Sequence, residues 1–222
     1  MAPRSRESNI GNRRRSAQEG SGVVYTKRRG ELVHAAATVF REKGYLGATL
    51  KDVAGELGMN PATIYYYYRS KQELFQAVVE QVVTENVARA TEIRDRDLPP
   101  AEKLRAILKL LMRSYSENYP HMFVFLQEDP SRLTDMSPDW ADRMRKWSRD
   151  YYRIIREIIG DGLDDGSLTS DLPPWFLAQS VVGMVNWTHR WYEPGGAVTA
   201  EMAGEGFADI VLQGLATSRR RR

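Results

Sequence analysis

Two short helices joined by a tight turn are predicted in the stretch TLKDVAGELGMNPATIYYYYRSKQELF, from Thr49 to Phe75. The first has an apolar stripe at helical spacing, formed by Leu50, Val53, Ala54 and Leu57. Thr49 is placed to cap this helix, and Gly58 is placed to end it in a left-handed conformation. Pro61 suits the first turn of the second helix, where its missing N–H has no helical partner. The spacing is that of a helix-turn-helix unit.

Four consecutive tyrosines, Tyr65 to Tyr68, occupy the second of these helices. Since a helix turns about 100° per residue, four adjacent side chains point around the cylinder and cannot all enter one core. Ile64 and Tyr68 share a face and are predicted to pack inward, which directs Tyr66 and Tyr67 outward. An exposed phenol suits nucleic acid, because it offers a hydroxyl to phosphate and a ring edge to thymine methyl groups. A tyrosine-rich protein interface is the alternative interpretation.

Further helices are predicted on both sides of this pair. Ser70 and Glu73 form a capping box, so a third helix starts there and places Lys71 beside free amides that suit a phosphate. Upstream, a helix is predicted from about Thr26 to Lys43, with Gly44 ending it. Its apolar face is formed by Leu32, Ala36, Val39 and Phe40. Three helices can therefore close a small core.

These patterns together resemble the TetR family of bacterial transcriptional regulators. The segment GYLGATLKDVAGELGMNPATIYYYYRSKQELF follows an Ala-rich helix that ends in VFREKG, and the resemblance covers roughly residues 26–75. It implies an all-α fold, with a three-helix helix-turn-helix DNA-binding head followed by a larger helical domain for effector binding and dimerisation. It also implies a homodimeric repressor that inserts its second helix-turn-helix helix into the major groove of a palindromic operator in double-stranded DNA.

The resemblance assigns roles to individual residues of the head. Base-facing positions are predicted at Asn60, Pro61, Ala62, Thr63, Tyr65 and Tyr66. DNA phosphate contacts are predicted at Arg28, Thr49, Tyr67 and Lys71. Tyr68 departs from the family, in which phenylalanine is most frequent at this position, so its hydroxyl requires a partner or a path to water. Pro61 and Ala62 bring few hydrogen-bond donors, so base reading is expected to depend on apolar contacts, Thr63 and the tyrosines.

Charge is distributed unevenly along the chain, although the net charge is only +3. Basic residues outnumber acidic ones in residues 1–71, and the reverse holds in 72–218, as expected for a DNA-binding head on a separate body. The expected domains are a disordered basic arm (1–24), the helix-turn-helix domain (25–71), the ligand-binding and dimerisation domain (72–217) and a basic tail (218–222). Because three arginines, Arg13 to Arg15, lie shortly before the first helix, the arm is predicted to reach a neighbouring DNA groove or backbone.

The body is predicted to be helical, without strand alternation or repeats. Its helices are expected at about 70–94, 101–118, 121–127, 137–163, 173–192 and 199–215. The last two carry small and apolar residues on broad faces. By resemblance they form a four-helix dimer interface with a second copy, through Ala178, Val181, Val182, Val185, Phe207, Ile210, Val211 and Gly214. Packing within one chain is the alternative.

Large aromatic residues are concentrated in the body, which holds all five tryptophans. A pocket for an apolar effector is predicted from Tyr115, Met122, Phe123, Phe125, Trp147, Tyr151, Met184 and Trp187, with simple core packing as the alternative. The segment NWTHRWYEPGG resembles repressors of fatty-acid or steroid catabolism, which implies an acyl-CoA thioester effector. Four arginines, Arg145, Arg149, Arg153 and Arg156, recur near one helix face and suit a CoA phosphate, or simply a solvated face. The family's mechanism implies that effector binding shifts the first long body helix and separates the two heads.

No sequence pattern indicates an enzymatic activity. The three histidines lack metal-ligand spacing, cysteine is absent, and no nucleophile-elbow, P-loop or dinucleotide-binding motif occurs. We therefore predict no catalytic activity, cofactor or metal. Without a long apolar run or a signal peptide, no membrane association and a cytoplasmic location are expected. An activator or architectural DNA-binding protein would share the head but not sequence discrimination, and a small-molecule binding protein or enzyme would share only the body.

Overall fold

The computed structural model describes residues 7–128 and 137–216, and every regular element in these ranges is helical. The α-helices are α1 (Glu7–Gly47), α2 (Leu50–Glu56), α3 (Pro61–Tyr67), α4 (Lys71–Asp95), α5 (Pro100–Glu117), α6 (His121–Glu128), α7 (Pro138–Asp164), α8 (Pro174–Asn186) and α9 (Ala200–Ala216). A 3-10 turn, Trp187–Arg190, continues α8. The predicted all-α fold is confirmed.

Local capping fixes the beginnings of the short helices in the head. Side chains cap α2, α3 and α4, and they belong to Thr49, Asn60 and Ser70. Gly58 has a φ of 61°, the left-handed conformation that ends α2. Gly44 has a φ of 68° and a ψ of 162°, so the regular part of α1 stops there. The predicted starts and stops of this region therefore arise from interactions within three or four residues.

The core of the head extends beyond the three predicted helices. Phe75 of α4 lies 5.4 Å, ring to ring, from Phe40 of α1 and 6.2 Å from Trp140 of α7. Val124 of α6 is buried in the same cluster. The expected boundary between residues 71 and 72 falls at the start of α4, but the first turns of α4 complete the core of the head.

In the body, α5 packs along α9 and α7 packs along α8. The α5–α9 contact is close, because a Cβ atom at Gly204 would lie only 2.9 Å from the Cα of Lys109. Ion pairs border it, with Lys109 Nζ 2.6 Å from Glu201 Oε1 and Arg105 2.8 Å from Asp209 Oδ1. The glycine allows the helices to approach, and the charged side chains fix their register.

Two helix ends differ from the prediction. The α-helical part of α8 stops at Asn186 instead of Tyr192, because the chain tightens into the 3-10 turn, where Trp191 donates its N–H to Thr188 O at 3.0 Å. Likewise, α3 stops at Tyr67, although all four tyrosines were predicted to lie in this helix. Tyr68 takes an extended backbone, which frees Ser70 to cap α4.

The structure also differs from the prediction of a disordered arm over residues 1–24, because α1 already begins at Glu7. Arginine, glutamate, glutamine and alanine favour helix in residues 7–24, whereas three glycines oppose it. No proline interrupts this range, so a helix held further along the chain can extend outward. Residues 1–6 and the predicted tail, 218–222, lie outside the described residues.

A helix that crosses a bilayer needs about 20 consecutive, mostly apolar residues. Within residues 7–128 and 137–216, no helix combines the necessary length with sufficient apolar character.

Candidate nucleic-acid interface and effector cavity

The outward surface of α3 carries the residues predicted to face bases. Asn60, Ala62, Thr63, Tyr65 and Tyr66 are exposed, and Pro61 is half-buried. Asn60 Oδ1 accepts the N–H of Ala62 at 2.9 Å, so its side-chain amide NH2 is left for other partners. Tyr65 and Tyr66 are 59% and 73% exposed. These side chains form one continuous surface that a DNA groove could receive.

Tyr68 lies on the opposite side of the chain from this surface. It is buried together with Ile64, as predicted from their spacing. Its hydroxyl accepts the Nε–H of Arg29 at 3.3 Å, and the guanidinium carbon lies 4.8 Å from the ring centroid. Burial raises the pKa of Tyr68, so the hydroxyl stays neutral. Arg29 is the partner that the hydroxyl was predicted to need, although the sequence did not identify it.

Tyr25 of α1 completes an aromatic cluster with the C-terminal end of α3. Its ring stacks on Tyr67 with centroids 5.1 Å apart and meets Tyr66 edge-on at 5.9 Å. Tyr25 was not among the residues predicted from the sequence, although it lies seven residues before buried Leu32, which is a helical spacing. The contacts orient both rings, but only Tyr66 is exposed. Tyr67, predicted to point outward, is half-buried against the core of the head, because its ring packs on Tyr25.

Thr49 and Arg28, predicted to contact phosphate, both have partners within the head. The Thr49 hydroxyl lies 2.6 Å from Asp52 Oδ2 and accepts the Asp52 N–H at 3.2 Å. Lys43 Nζ lies 2.6 Å from Asp52 Oδ1, and these bonds from Lys43 and Thr49 lower the pKa of Asp52 to about 2. Arg28 is exposed and pairs with Glu31. The Thr49 hydroxyl hydrogen is therefore engaged within the protein, whereas Arg28 remains at the surface.

Lys71 was also predicted to bind phosphate, and its geometry points to a different role. Its ammonium donates to the carbonyl oxygens of Tyr45 at 2.7 Å and Ala48 at 3.0 Å, and it lies 3.4 Å from Leu46 O. An ammonium has three N–H donors, and backbone carbonyls receive them here. The correction follows from folding: the segment before α2 returns to the start of α4, a contact that helical spacing cannot predict.

Four of the predicted effector residues meet at one cavity between α4, α6, α7 and α8. Met122, Phe125, Trp147 and Tyr151 line it, and its volume is about 80 Å³. Asn86, which the sequence analysis missed, is a buried polar residue in its wall. The hydroxyl of Tyr151 is buried without a hydrogen-bond partner among the described residues. The cavity is mainly apolar with few polar groups, as expected for a site that binds a small apolar group.

A wider groove of about 640 Å³ adjoins this cavity and shares part of its wall, formed by Phe125, Ser148, Tyr152 and Asn186. Trp187 lines the groove, as do Arg145 and Arg149. Arg145 pairs with Asp142, whereas Arg149 forms no ion pair with any described residue. The apolar cavity thus lies beside a groove that carries positively charged arginines.

The other three predicted effector residues lie apart from the cavity. The Tyr115 ring is buried 5.6 Å from that of Tyr192, and Phe123 lies between Tyr119 and His189. Met184 is partly buried against the core. Core packing, the alternative interpretation, accounts for these three residues.

Half of the predicted dimer interface is instead core of the single chain. Ala178, Val181, Val182 and Val185 are all buried, because this face of α8 packs on α7 and the body core. On α9, Phe207 and Val211 are half-buried, whereas Ile210 and Gly214 are exposed. The α8 residues are therefore a correction: an almost wholly apolar helix does not reveal which of its faces turns inward.

The opposite faces of α8 and α9 remain exposed. On α8 and its 3-10 continuation, the exposed residues one to three turns apart are Phe176, Ser180, Gly183 and Trp187; on α9 they are Met202, Gly206, Ile210 and Gly214. We call these eight residues the α8–α9 face. Its small residues allow helices to approach closely, and its large apolar ones are unusual for a solvated surface.

A metal centre needs several His, Cys, Asp or Glu side chains held close together. The described part of the chain contains no group of three or more His, Cys, Asp or Glu that could hold an ion.

An all-helical chain with an exposed, capped helix-turn-helix and a cavity-bearing body defines a class of DNA-binding regulators. Residues 32–78 match the profile of bacterial regulatory proteins of the tetR family, and residues 97–215 match that of the tetracyclin repressor-like C-terminal domain. The second match spans more than half of the chain. The protein therefore belongs to the TetR family, and the prediction of a ligand-responsive transcriptional repressor is confirmed. The predicted partners, operator DNA, a second copy and a small-molecule effector, are those of this family.

Particular relatives agree with this assignment. The HTH-type transcriptional repressor KstR2 of Mycolicibacterium smegmatis is 27% identical over 192 residues, which cover 86% of this chain and 92% of that protein. The structure of the ketosteroid transcriptional regulator KstR2 of Mycobacterium tuberculosis has a TM-score of 0.80 at 24% identity, covering 86% of this chain and 96% of the other. AibR, solved in complex with isovaleryl coenzyme A and operator DNA, has a TM-score of 0.71 at 21% identity, covering 83% and 98%.

Proposed function

We propose that this protein represses transcription as a dimer, by placing α3 of each copy in the major groove of a palindromic operator. The proposal rests on the different burial of the tyrosines from Tyr65 to Tyr68. Tyr65 and Tyr66 are exposed beside Thr63, while Ile64 and Tyr68 anchor the same short helix in the core. The helix is thus held rigidly with its polar aromatic face turned outward, as a groove-reading element requires.

Within this surface, we propose base contacts from Asn60, Pro61, Ala62, Thr63, Tyr65 and Tyr66. The methyl groups of Ala62 and Thr63 suit thymine methyl groups, and the free amide of Asn60 suits a base edge or phosphate. Tyr67 and Arg28 are proposed to contact the DNA backbone from the ends of the surface. Of the two, Tyr67 is the better positioned, because its ring is already oriented by Tyr25.

We propose that two copies join through the α8–α9 face, which replaces the α8 residues expected from sequence. A two-fold pair of helices here would form a four-helix bundle, with Gly183, Gly206 and Gly214 permitting close approach. The large residues Trp187 and Ile210 are 60% and 64% exposed in the single chain, so a partner would remove substantial apolar surface from water. Each head would then engage one half-site.

For the effector, we propose an acyl-CoA thioester. The apolar cavity would hold the acyl chain, and the groove beside it would hold the anionic nucleotide, with Arg149 free to bind a phosphate. An apolar cavity of about 150 Å³ accommodates benzene, so the 80 Å³ present here suits an acyl group of only a few carbons, and a longer chain such as isovaleryl would extend into the adjoining groove. The AibR complex shows that a protein of this fold binds isovaleryl coenzyme A. Effector binding would shift α4 and change the spacing of the heads, a population shift between two dimer geometries.

We further propose that the chain acts by binding alone, without catalysis, and that it works in the cytoplasm, where operator DNA is accessible. The family assignment supports both statements.

The test is footprinting of the purified protein on DNA from its own promoter region, followed by titration with isovaleryl-CoA and with free CoA. We expect protection of a palindrome, and release by isovaleryl-CoA at concentrations where free CoA has little effect. Protection without sequence preference would contradict the repressor and favour an architectural protein. A sequence-specific footprint that neither compound alters would contradict only the thioester proposal.

A further inference from the structure

The segment Gly44–Ala48, which we call the joint, connects the regular part of α1 to α2. Its conformation is unusual, because Gly44 has a φ of 68° and a ψ of 162°. Tyr45, the next residue, is only 1% exposed and packs its ring 4.6 Å from that of Phe75 on α4. The path of the joint determines where α2 and α3 begin relative to the rest of the molecule.

Lys71 holds the joint from the start of α4. Its ammonium donates to Tyr45 O at 2.7 Å and Ala48 O at 3.0 Å, and it lies 4.5 Å from the centroid of the Tyr45 ring. Carbonyl oxygens at the end of a helix have no helical partner, and a cation satisfies them well. A lysine that bound phosphate would have to give up these bonds.

Glu128 holds the joint from the opposite side, at the last residue of α6. Its Oε1 accepts the backbone N–H of Tyr45 at 2.7 Å. A Cβ atom at residue 44 would lie 3.2 Å from the same oxygen, so glycine makes this approach easy as well as permitting the positive φ. Both backbone polar groups of Tyr45 therefore bind a charged side chain. Its N–H donates to the Glu128 carboxylate, and its carbonyl oxygen accepts from the Lys71 ammonium.

We propose that Lys71 and Glu128 are positioning residues for operator binding, which clamp the joint and so fix α2 and α3 on α4 and α6. Lys71 then contributes to DNA affinity through the joint and not through a phosphate. The inference rests on the proposed function of the head as a DNA reader. Helix α6 would then contact both sites, the joint through Glu128 and the effector cavity through Met122 and Phe125.

The first experiment separates clamping from phosphate binding by the dependence of operator affinity on salt. Operator dissociation constants of the wild type, Lys71→Ala and Lys51→Ala are measured at several NaCl concentrations. Lys51 is an exposed lysine of α2 without a hydrogen bond among the described residues, so its removal takes away the same charge without touching the joint. Thermal unfolding verifies that each variant is folded.

We expect Lys71→Ala to bind about tenfold more weakly at every salt concentration, the size of a lost charge-assisted hydrogen-bond set. The slope of log affinity against log salt should stay close to that of the wild type in Lys71→Ala, whatever the slope of Lys51→Ala. A phosphate contact would instead lower the slope by about one. A decrease of that size in Lys71→Ala would overturn the proposal.

The second experiment requires neither DNA nor effector. Amide hydrogen exchange is followed in peptides spanning residues 44–48 for Glu128→Ala and for Glu128→Gln, whose side-chain oxygen can still accept the Tyr45 N–H. We expect exchange there to accelerate at least severalfold in Glu128→Ala and to stay near wild type in Glu128→Gln, with peptides of α5 unchanged in both. Unchanged exchange in Glu128→Ala would refute the clamp. If the wild type bound no operator at all, the proposed function would fail, while this experiment would still decide the clamp.

Discussion

Exposed aromatic rings occur in both the head and the body, and their chemistry differs. In the head they are tyrosines, Tyr65 and Tyr66, on a short helix in the more basic part of the chain. In the body they are mainly Trp and Phe, including Trp187 and Phe176, next to exposed glycines and serine. A phenol can bond to phosphates and base edges, whereas an indole or phenyl ring beside small residues suits a packed helix. The chemistry of the exposed rings therefore predicts DNA as the partner of the head and protein as the partner of the body.

The largest expected effect comes from placing a charge on the body surface. Ile210→Glu should abolish dimerisation, because a carboxylate would be buried without a partner. Loss of the second half-site should lower operator affinity by about 100-fold or more. Analytical ultracentrifugation and DNA binding measure the two effects. Val198→Glu, at a 43% exposed position outside the helices, is the matched control. A dimeric Ile210→Glu would show that the α8–α9 face is not the interface.

In the head, we expect Tyr66→Ala to weaken operator binding by about 30-fold, within the range for one base contact. The protein should remain dimeric and equally stable, since Tyr66 is 73% exposed. Tyr66→Phe separates hydroxyl from ring: loss in both variants assigns the contact to the hydroxyl, and loss only in alanine assigns it to the ring. Unchanged affinity in both would contradict the proposed difference between the regions.

A smaller effect is expected at the contact between head and body, where His121 of α6 lies 5.6 Å, ring to ring, from His34 of α1. Burial, and then the charge of His34, lower the pKa of His121 from 6.5 to about 4, although a hydrogen bond to the Asn118 backbone opposes this. Since the unfolded chain then binds the proton more tightly, stability is complete above pH 7 and decreases as pH falls from about 6.5 to about 4.

Between pH 7.5 and 5.0, we expect this loss to amount to about 1–2 kcal/mol and to be reduced in His121→Gln. Urea unfolding at pH 7.5, 6.0 and 5.0 measures it, with His189→Gln as the control for removing a histidine elsewhere. The same pH dependence in wild type and His121→Gln would exclude His121 as its source.

The smallest effect is predicted for Tyr68→Phe, which introduces the phenylalanine that the family resemblance implies at this position. The change removes the acceptor of the Arg29 Nε–H but leaves the buried ring in place. We expect a loss of at most about 1 kcal/mol in the free energy of unfolding, because Arg29 is half-buried and can turn to water. Chemical denaturation measures this, with Tyr65→Phe as an exposed control. A loss as large as that of a core cavity would mean that the hydroxyl organises more than Arg29.

The two regions also differ in how far they could be predicted from sequence. In the head, Thr49, Gly44 and Gly58 act on neighbours only a few residues away, so their roles followed from spacing. In the body, the apolar residues of α8 surround the helix, and only its packing on α7 shows that Val181 turns inward. Only half of the predicted effector residues line the cavity. Aromatic composition indicates that a pocket exists, but it does not identify the residues that form its wall.

The sequence by itself determined a TetR-type helix-turn-helix with Tyr66 outward and Tyr68 inward, since adjacent side chains of a helix cannot all enter one core. Only the tertiary structure decided that Lys71 caps the joint, that Tyr25 orients Tyr67, and that α8 turns its valines into the core. These contacts join residues far apart in the chain. Their energy depends on how whole helices pack, which no local pattern records.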